Sequence, residues 1–312
     1  LDYDCDQIVV STGAKQSIAN VMLSLINPGD EVIVPAPYWV SYVEIIKLAE
    51  GKPVVIKTDL ENDFKLTPEQ LRKHITDKTR LFVFSTPCNP TGSVYTKDEL
   101  HALAEVIAEK EDLYIISDEI YEHINFIGKH ESMAQFDFIK DRVITINGVS
   151  KGFAMTGWRV GFMAAPLWIA KACDKMQGQI TSATCSIAQK AAKAAVEMDP
   201  SSTHEMRDAF KRRRGLVLDL LKEIPGLKTN IPDGAFYVFP EASSYFGKKT
   251  EDGKIIKNAP ELCMFLLEKA NVAIVPGDAF GAPEFVRIAY ATSEKNITEA
   301  IKRIKETLAT LK

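Results

Sequence analysis

The chain has 312 residues and a nearly balanced charge, 38 Lys+Arg against 42 Asp+Glu for a net −4, with 46% hydrophobic and 26% charged side chains. A chain of this length buries roughly three quarters of its unfolded surface, so it needs no disulfide or metal staple, and its composition is that of a globular rather than a disordered or membrane protein. No apolar stretch approaches the ~20 residues that cross a bilayer, and the one basic run, Lys211 to Arg214, lies in a helical pattern and reads as a solvated face, so neither membrane nor nucleic acid is expected as a partner.

In chain order, an amphipathic run through Val21, Leu25 and Ile26 stops at Pro28-Gly29-Asp30. Short apolar strands are predicted at Val32 to Val34, Val54 to Ile56, Leu81 to Phe84, Tyr114 to Ile116 and Val143 to Ile146. Helical stretches lie between them at Tyr42 to Ala49, Pro68 to Ile75 and Lys97 to Glu109. Strands alternating with helices predict an α/β fold whose large, mainly parallel sheet is sandwiched by helices, with ligands beyond the carboxyl ends of the strands. A long helical pattern then runs from about Thr203 to Glu223 and stops at Pro225-Gly226. Strands at Ala235 to Phe239, Ala273 to Val275 and Phe285 to Ala289, with helices at Pro260 to Ala270 and Glu294 to Leu311, read as a smaller α+β carboxyl-terminal domain. The expected division is 1–205 for the large domain and 206–312 for the linking helix and small domain, with Lys248 to Lys257 an exposed loop. Five cysteines without a CxxC pair fit the reduced thiols of a cytoplasm, and five histidines without metal-ligand spacing give no metal site.

Polar clusters sit where the strands end. Ser150-Lys151 follows the strand at Val143 to Ile146, and a lysine there must be paired or neutralised, which would make its amine a nucleophile. Asp118 and Tyr121 follow the strand ending near Ile116, and Asn89-Pro90-Thr91-Gly92 follows the one ending at Phe84 to Ser85. Taken singly, each has a plainer reading: a surface lysine, a helix cap, half-buried packing, an ordinary turn.

Together, Asn89-Pro-Thr-Gly92, Asp118-Glu-Ile-Tyr121, Ser150-Lys151 and Gly157-Trp-Arg159 resemble, in order and spacing, the fold type I pyridoxal-phosphate aminotransferases of class I/II. The resemblance runs from Ser11-Thr-Gly-Ala-Lys-Gln16 to Val286-Arg-Ile-Ala-Tyr-Ala291, essentially the whole chain. Pro37-Tyr-Trp-Val-Ser-Tyr42 and the context from Phe153 to Arg159 look like aspartate aminotransferase subgroup I-beta, the bacterial aspartate/prephenate branch.

That resemblance implies pyridoxal 5'-phosphate as cofactor and assigns roles. Lys151 would hold it as a Schiff base and move the proton at the substrate Cα; Asp118 would keep the ring nitrogen protonated; Tyr121 and Asn89 would bond the ring oxygen, and Trp39 would stack on the ring. Amides of Gly13, Ala14 and Lys15, with Ser150 and Arg159, would cradle the phosphate. Many relatives carry a hydroxyl residue where this chain has Gly148, so one phosphate contact would be lost or replaced by an amide. Arg287 would bind the substrate α-carboxylate and Lys15 the distal carboxylate, which points to aspartate and glutamate. Taken alone, Trp39 reads as a core aromatic and Arg287 as an edge charge.

The implied activity is ping-pong aspartate:2-oxoglutarate transamination by a cytoplasmic homodimer. The open alternatives are a prephenate or other aromatic/2-oxo-acid aminotransferase, a β-lyase, and a non-catalytic aminotransferase-like regulatory module. Coupled assays with prephenate and oxaloacetate as acceptors separate the first of these, and release of pyruvate or ammonia from a cysteine-like substrate the second. Against the third stand the intact lysine and aspartate and the lack of a helix-turn-helix. The resemblance also implies a substantial segment before Ser11, supplying a glycine loop over the substrate and a tyrosine to the partner subunit. That segment is expected to be missing here, and a chain without it to be a poor catalyst.

Overall fold

The computed structural model describes residues 1–312. A seven-stranded sheet has the spatial order β1 (Ile8–Ser11), β7 (Gly161–Ala164), β6 (Val143–Gly148), β5 (Tyr114–Asp118), β4 (Thr79–Ser85), β2 (Glu31–Ala36), β3 (Lys52–Lys57). From β3 to β6 all neighbours are parallel, while β7 runs antiparallel to both β6 and β1. The near-continuous apolar character of the central strands follows from burial on both faces.

Side-chain alternation divides the core. Val32, Val34, Leu81, Val83, Ile116, Ile144 and Ile146 pack toward α1 (Ala14–Leu25), α2 (Ser41–Leu48) and α5 (Leu167–Ile180). Their neighbours Ile33, Phe82, Phe84, Ile115 and Val143 pack on the opposite side toward α3 (Pro68–His74) and α4 (Lys97–Ala108). Capping boxes start α3 at Thr67/Gln70 and α4 at Thr96/Glu99, satisfying donors that the first helical turn leaves free.

A second core lies between a three-stranded antiparallel sheet, in order β8 (Tyr237–Val238), β10 (Val286–Ala289), β9 (Val275–Pro276), and helices α7 (Ser201–Lys222), α8 (Ala259–Ala270) and α9 (Glu294–Leu308). In α9, Ile297, Ile301, Ile304 and Leu308 form the buried stripe that helical periodicity requires. Helix α7 carries the chain through position 205/206 without a break.

Several elements differ from the sequence expectation. Strands β1 and β7 and helices α5 and α6 (Ser186–Glu197) were not expected. The strand expected at Ala235 to Phe239 shrinks to Tyr237–Val238, because Ala235 takes φ 57, outside the β region. The last helix stops at Leu308, short of Leu311.

Candidate active site

The carboxyl ends of β4, β5 and β6, the first turn of α1 and one edge of the small sheet converge on a cavity of about 360 Å³. Of the residues singled out in the sequence, Ala14, Lys15, Trp39, Asn89, Asp118 and Tyr121 line it, as do Ser150, Lys151, Arg159 and Arg287. Residues nearly two hundred positions apart meet directly: Arg287 Nη1 donates to Asn89 Oδ1 at 2.9 Å.

Asp118 ends β5 and is only 5% exposed. Burial pushes its carboxyl up to about 6, held back by the Tyr42 hydroxyl, which donates to Oδ2 at 2.6 Å, and by the Ile120 amide at 3.3 Å. Lys151 stands across the cavity with its ammonium 5.7 Å from the Tyr121 ring and 5.6 Å from that of Phe236. Burial first, then the charges of Arg287 and Arg159, lower its pKa, while Asp118 opposes the shift. An amine so placed is biased toward its nucleophilic, proton-accepting form.

One end of the cavity is shaped for an anion. The amides of Ala14 and Lys15 open α1 and have no carbonyl partner within the helix. Arg159 reaches the same place from the left-handed region at φ 54, a strained conformation for an arginine, and its Nη1 donates to the Thr156 carbonyl at 2.9 Å. Gly13 precedes these two amides, and its own amide donates to the Ser11 carbonyl at 2.7 Å. Its contribution is space, since a Cβ at Gly13 would run into the Arg159 guanidinium and its φ of 85 suits glycine. Gly148 engages its amide within the chain. Its amide donates to Asn147 Oδ1 at 2.7 Å, and a Cβ would lie 2.8 Å from Gly161 of β7. Gly161 in turn lets β7 press against the Ala14 amide at the start of α1.

Sequence reasoning missed Tyr42, Thr156 and Tyr237, all of which line the cavity. Tyr42 belongs to the Pro37–Tyr42 segment already singled out, so the segment signalled it; Tyr237 carried no signal beyond strand alternation. Lys15 Nζ lies 5.1 Å from the Trp39 ring, which steadies both at the mouth. Behind Asp118, the buried Glu119 accepts from Ser117, Ser132 and His130 at 2.6 to 2.9 Å, and Glu119, Glu122 and His130 gather within 4.8 Å of one another although their sequence spacing gave no metal pattern.

The residues present fit pyridoxal phosphate. A lysine of lowered pKa faces a buried carboxylate, Trp39 offers a flat face, and the absence of a side chain at Gly13 lets the Arg159 guanidinium sit close to the α1 amides, as a dianion requires.

The family model for aminotransferase class I and II matches residues 1–304. The chain is 46% identical to the bifunctional aspartate aminotransferase and glutamate/aspartate-prephenate aminotransferase of Petunia hybrida, with 100% of this chain covered and 66% of that protein. It therefore spans slightly less than two thirds of that plant relative's length. The crystal structure of the aspartate aminotransferase from Rhizobium meliloti superposes with a TM-score of 0.96 at 43% identity, covering 100% of this chain and 78% of that one. The aromatic aminotransferase of Pyrococcus horikoshii superposes with a TM-score of 0.90 at 40% identity, covering 97% and 79%.

Proposed function

The chain belongs to the class I and II aminotransferases, and from that premise we propose that it exchanges amino and oxo groups between aspartate or glutamate and 2-oxo acids, in two half-reactions. The observation that carries this reading is the meeting, in one cavity, of the Lys151 amine, the Asp118 carboxylate and the Arg287 guanidinium. Bound pyridoxal phosphate would supply a carbonyl to take up the amino group and a ring that withdraws electrons from the substrate Cα.

The chain's own residues do the rest. Lys151, with its lowered pKa, is the amine that would carry the cofactor and shuttle the proton at Cα. Asp118, ionised above about 6, holds a negative charge where the ring nitrogen would lie, and Tyr42 fixes its orientation. Tyr121 and Asn89 would steady the ring oxygen, and Trp39 restricts tilt of the ring by its face. Ala14, Lys15, Ser150 and Arg159 would hold the phosphate by amides, a hydroxyl and a guanidinium fork. Arg287 meets a planar α-carboxylate with a planar fork, and the Lys15 ammonium at the mouth suits a second carboxylate.

A homodimer is part of this reading. Beside Arg159, a surface depression is lined by Thr12, Trp158, Cys185 and Ile187, and Trp158 and Ile187 are 48% and 73% exposed. Apolar surface of this kind is suited to a second copy, and light scattering reads the mass directly. No helix is long and apolar enough to cross a membrane; the free cysteines suit a cytoplasmic setting.

A second reading, amino transfer to prephenate, is favoured by the name of the Petunia relative. The test is a coupled assay of purified, cofactor-loaded protein with aspartate or glutamate as donor and 2-oxoglutarate, oxaloacetate or prephenate as acceptor. Turnover with 2-oxoglutarate supports the first reading, turnover with prephenate alone supports the second, and turnover with none overturns both.

A further inference from the structure

Tyr237 touches both halves of the site and belongs to none of the motifs. It lies on β8, where it pairs with Ala289 of β10, so Arg287, two residues back along β10, projects on the same face. The Arg287 guanidinium carbon stands 4.5 Å from the Tyr237 ring centroid and 4.8 Å from that of Phe280, held between two aromatic faces. Its Nη1 is committed to Asn89, and its Nε is buried without a partner. The Tyr237 hydroxyl meanwhile lies 3.0 Å from the Tyr121 hydroxyl, and the two residues are 6% and 3% exposed. One rigid side chain therefore steadies the arginine with its ring and meets the large-domain tyrosine with its hydroxyl.

We propose that Tyr237 is a positioning residue of the transamination site: its ring fixes the Arg287 fork for the substrate carboxylate, and its hydroxyl donates to Tyr121. The inference rests on the aminotransferase reading above. Each hydroxyl has one proton. If Tyr121 gives its proton to a cofactor oxygen, only Tyr237 can donate within the pair, and a chain of two such bonds strengthens the outer one. The ring and the hydroxyl thus have separable effects.

The experiment compares Tyr237→Phe and Tyr237→Leu with the parent in the cofactor-loaded protein. Three quantities are measured: maleate binding by calorimetry, the pH midpoint of the cofactor's visible absorbance, and kcat with KM for aspartate. In Tyr237→Phe the ring remains, so maleate affinity should stay within about twofold of the parent, while the midpoint rises by about half a unit as Tyr121 becomes a weaker donor. Its kcat should fall several-fold with KM little changed. In Tyr237→Leu the flat face is gone and maleate affinity should fall about tenfold further, within the worth of a desolvated cation–π contact. An unmoved midpoint in Tyr237→Phe overturns the hydroxyl's role, and equal maleate affinity in the two variants overturns the ring's. Parent protein that turns over while both variants match it sinks this inference and leaves the aminotransferase reading standing; parent protein without turnover sinks that reading instead.

Discussion

On the wall of the cleft built by the ends of β4, β5 and β6, Asp118 and Asn89 are 5% and 6% exposed, and Tyr42, hydrogen-bonded to Asp118, is 1% exposed. The facing wall and mouth present Arg287 from the middle strand of a three-stranded sheet and Lys15 from the first turn of a helix, each at least partly open to water and resting against aromatic rings. The sealed wall bends ionisation: Asp118 is pushed up, and Lys151, at its border, is pulled down. The open wall sets the Lys15 and Arg287 side chains where an anion could reach them. In the proposed reading, burial sorts the residues by task, proton handling inside and charge recognition outside.

The sharpest way to break this division is at Lys151. Lys151→Ala should lower kcat by at least about 10³-fold, since it removes both the nucleophile and the proton carrier. Borohydride reduction of the loaded parent should leave a pyridoxyl mass on the peptide containing Lys151. A label on Lys15 instead would merge the two walls' roles.

Asp118→Asn should cost about 10²- to 10³-fold in kcat with little change in KM, because a neutral amide cannot hold the ring nitrogen's proton. The same substitution should stabilise the cofactor-free fold at neutral pH. The folded pKa of Asp118 lies above its ordinary value of 3.8, at about 6, so the stability it contributes is fully present below pH 3.8 and is lost as pH rises through 6. The loss amounts to roughly 3 kcal/mol, and Asp118→Asn should be spared it. Melting curves at pH 4 and pH 7 check this: the variant's advantage should appear only at the higher pH.

On the open wall, Lys15→Ala should weaken dicarboxylic substrates by about 1.5 to 3 kcal/mol and leave alanine nearly unaffected. Equal losses for aspartate and alanine in KM would give Lys15 to the cofactor or the fold.

The smallest effect belongs to Tyr42→Phe. Loss of the hydroxyl that holds the Asp118 carboxyl down should raise its pKa further, moving the acid limb of kcat to higher pH, and should cost about 1 kcal/mol of stability. An unshifted limb would mean that Asp118 is not the group titrating there.

The two walls were not equally legible in the sequence. Central strands β4, β5 and β6 stand out as apolar runs because both faces are covered, and the polar residues ending them fall in motifs a few residues long. Strands β1 and β7 escape that reading because they are four residues each, and β7 opens on Gly161. Helix α6 is alanine-rich, with Ile187 and Val196 turned outward, so no single apolar stripe marks it. Tyr237 could not be found because its meaning lies in a contact 116 residues away and in its register beside Arg287. The bond from the Gly13 amide to Ser11 was hidden for a related reason: a helix opening suggests free amides, and the tight turn at Ser11 engages the first of them.

The close approach of Gly161 to the Ala14 amide has a thermodynamic consequence. With β7 pressed on the first turn of α1, the amide side of the anion end is braced against the sheet, while Ser150 and Arg159 reach it from the connection between β6 and β7. Inorganic phosphate meeting those braced amides should pay ordering entropy mainly for the Ser150 and Arg159 side, and its calorimetric signature should show little heat-capacity change. A bulkier residue at 161 would loosen that brace, and the same phosphate would then bind with a larger entropic penalty even if every contact it makes were kept.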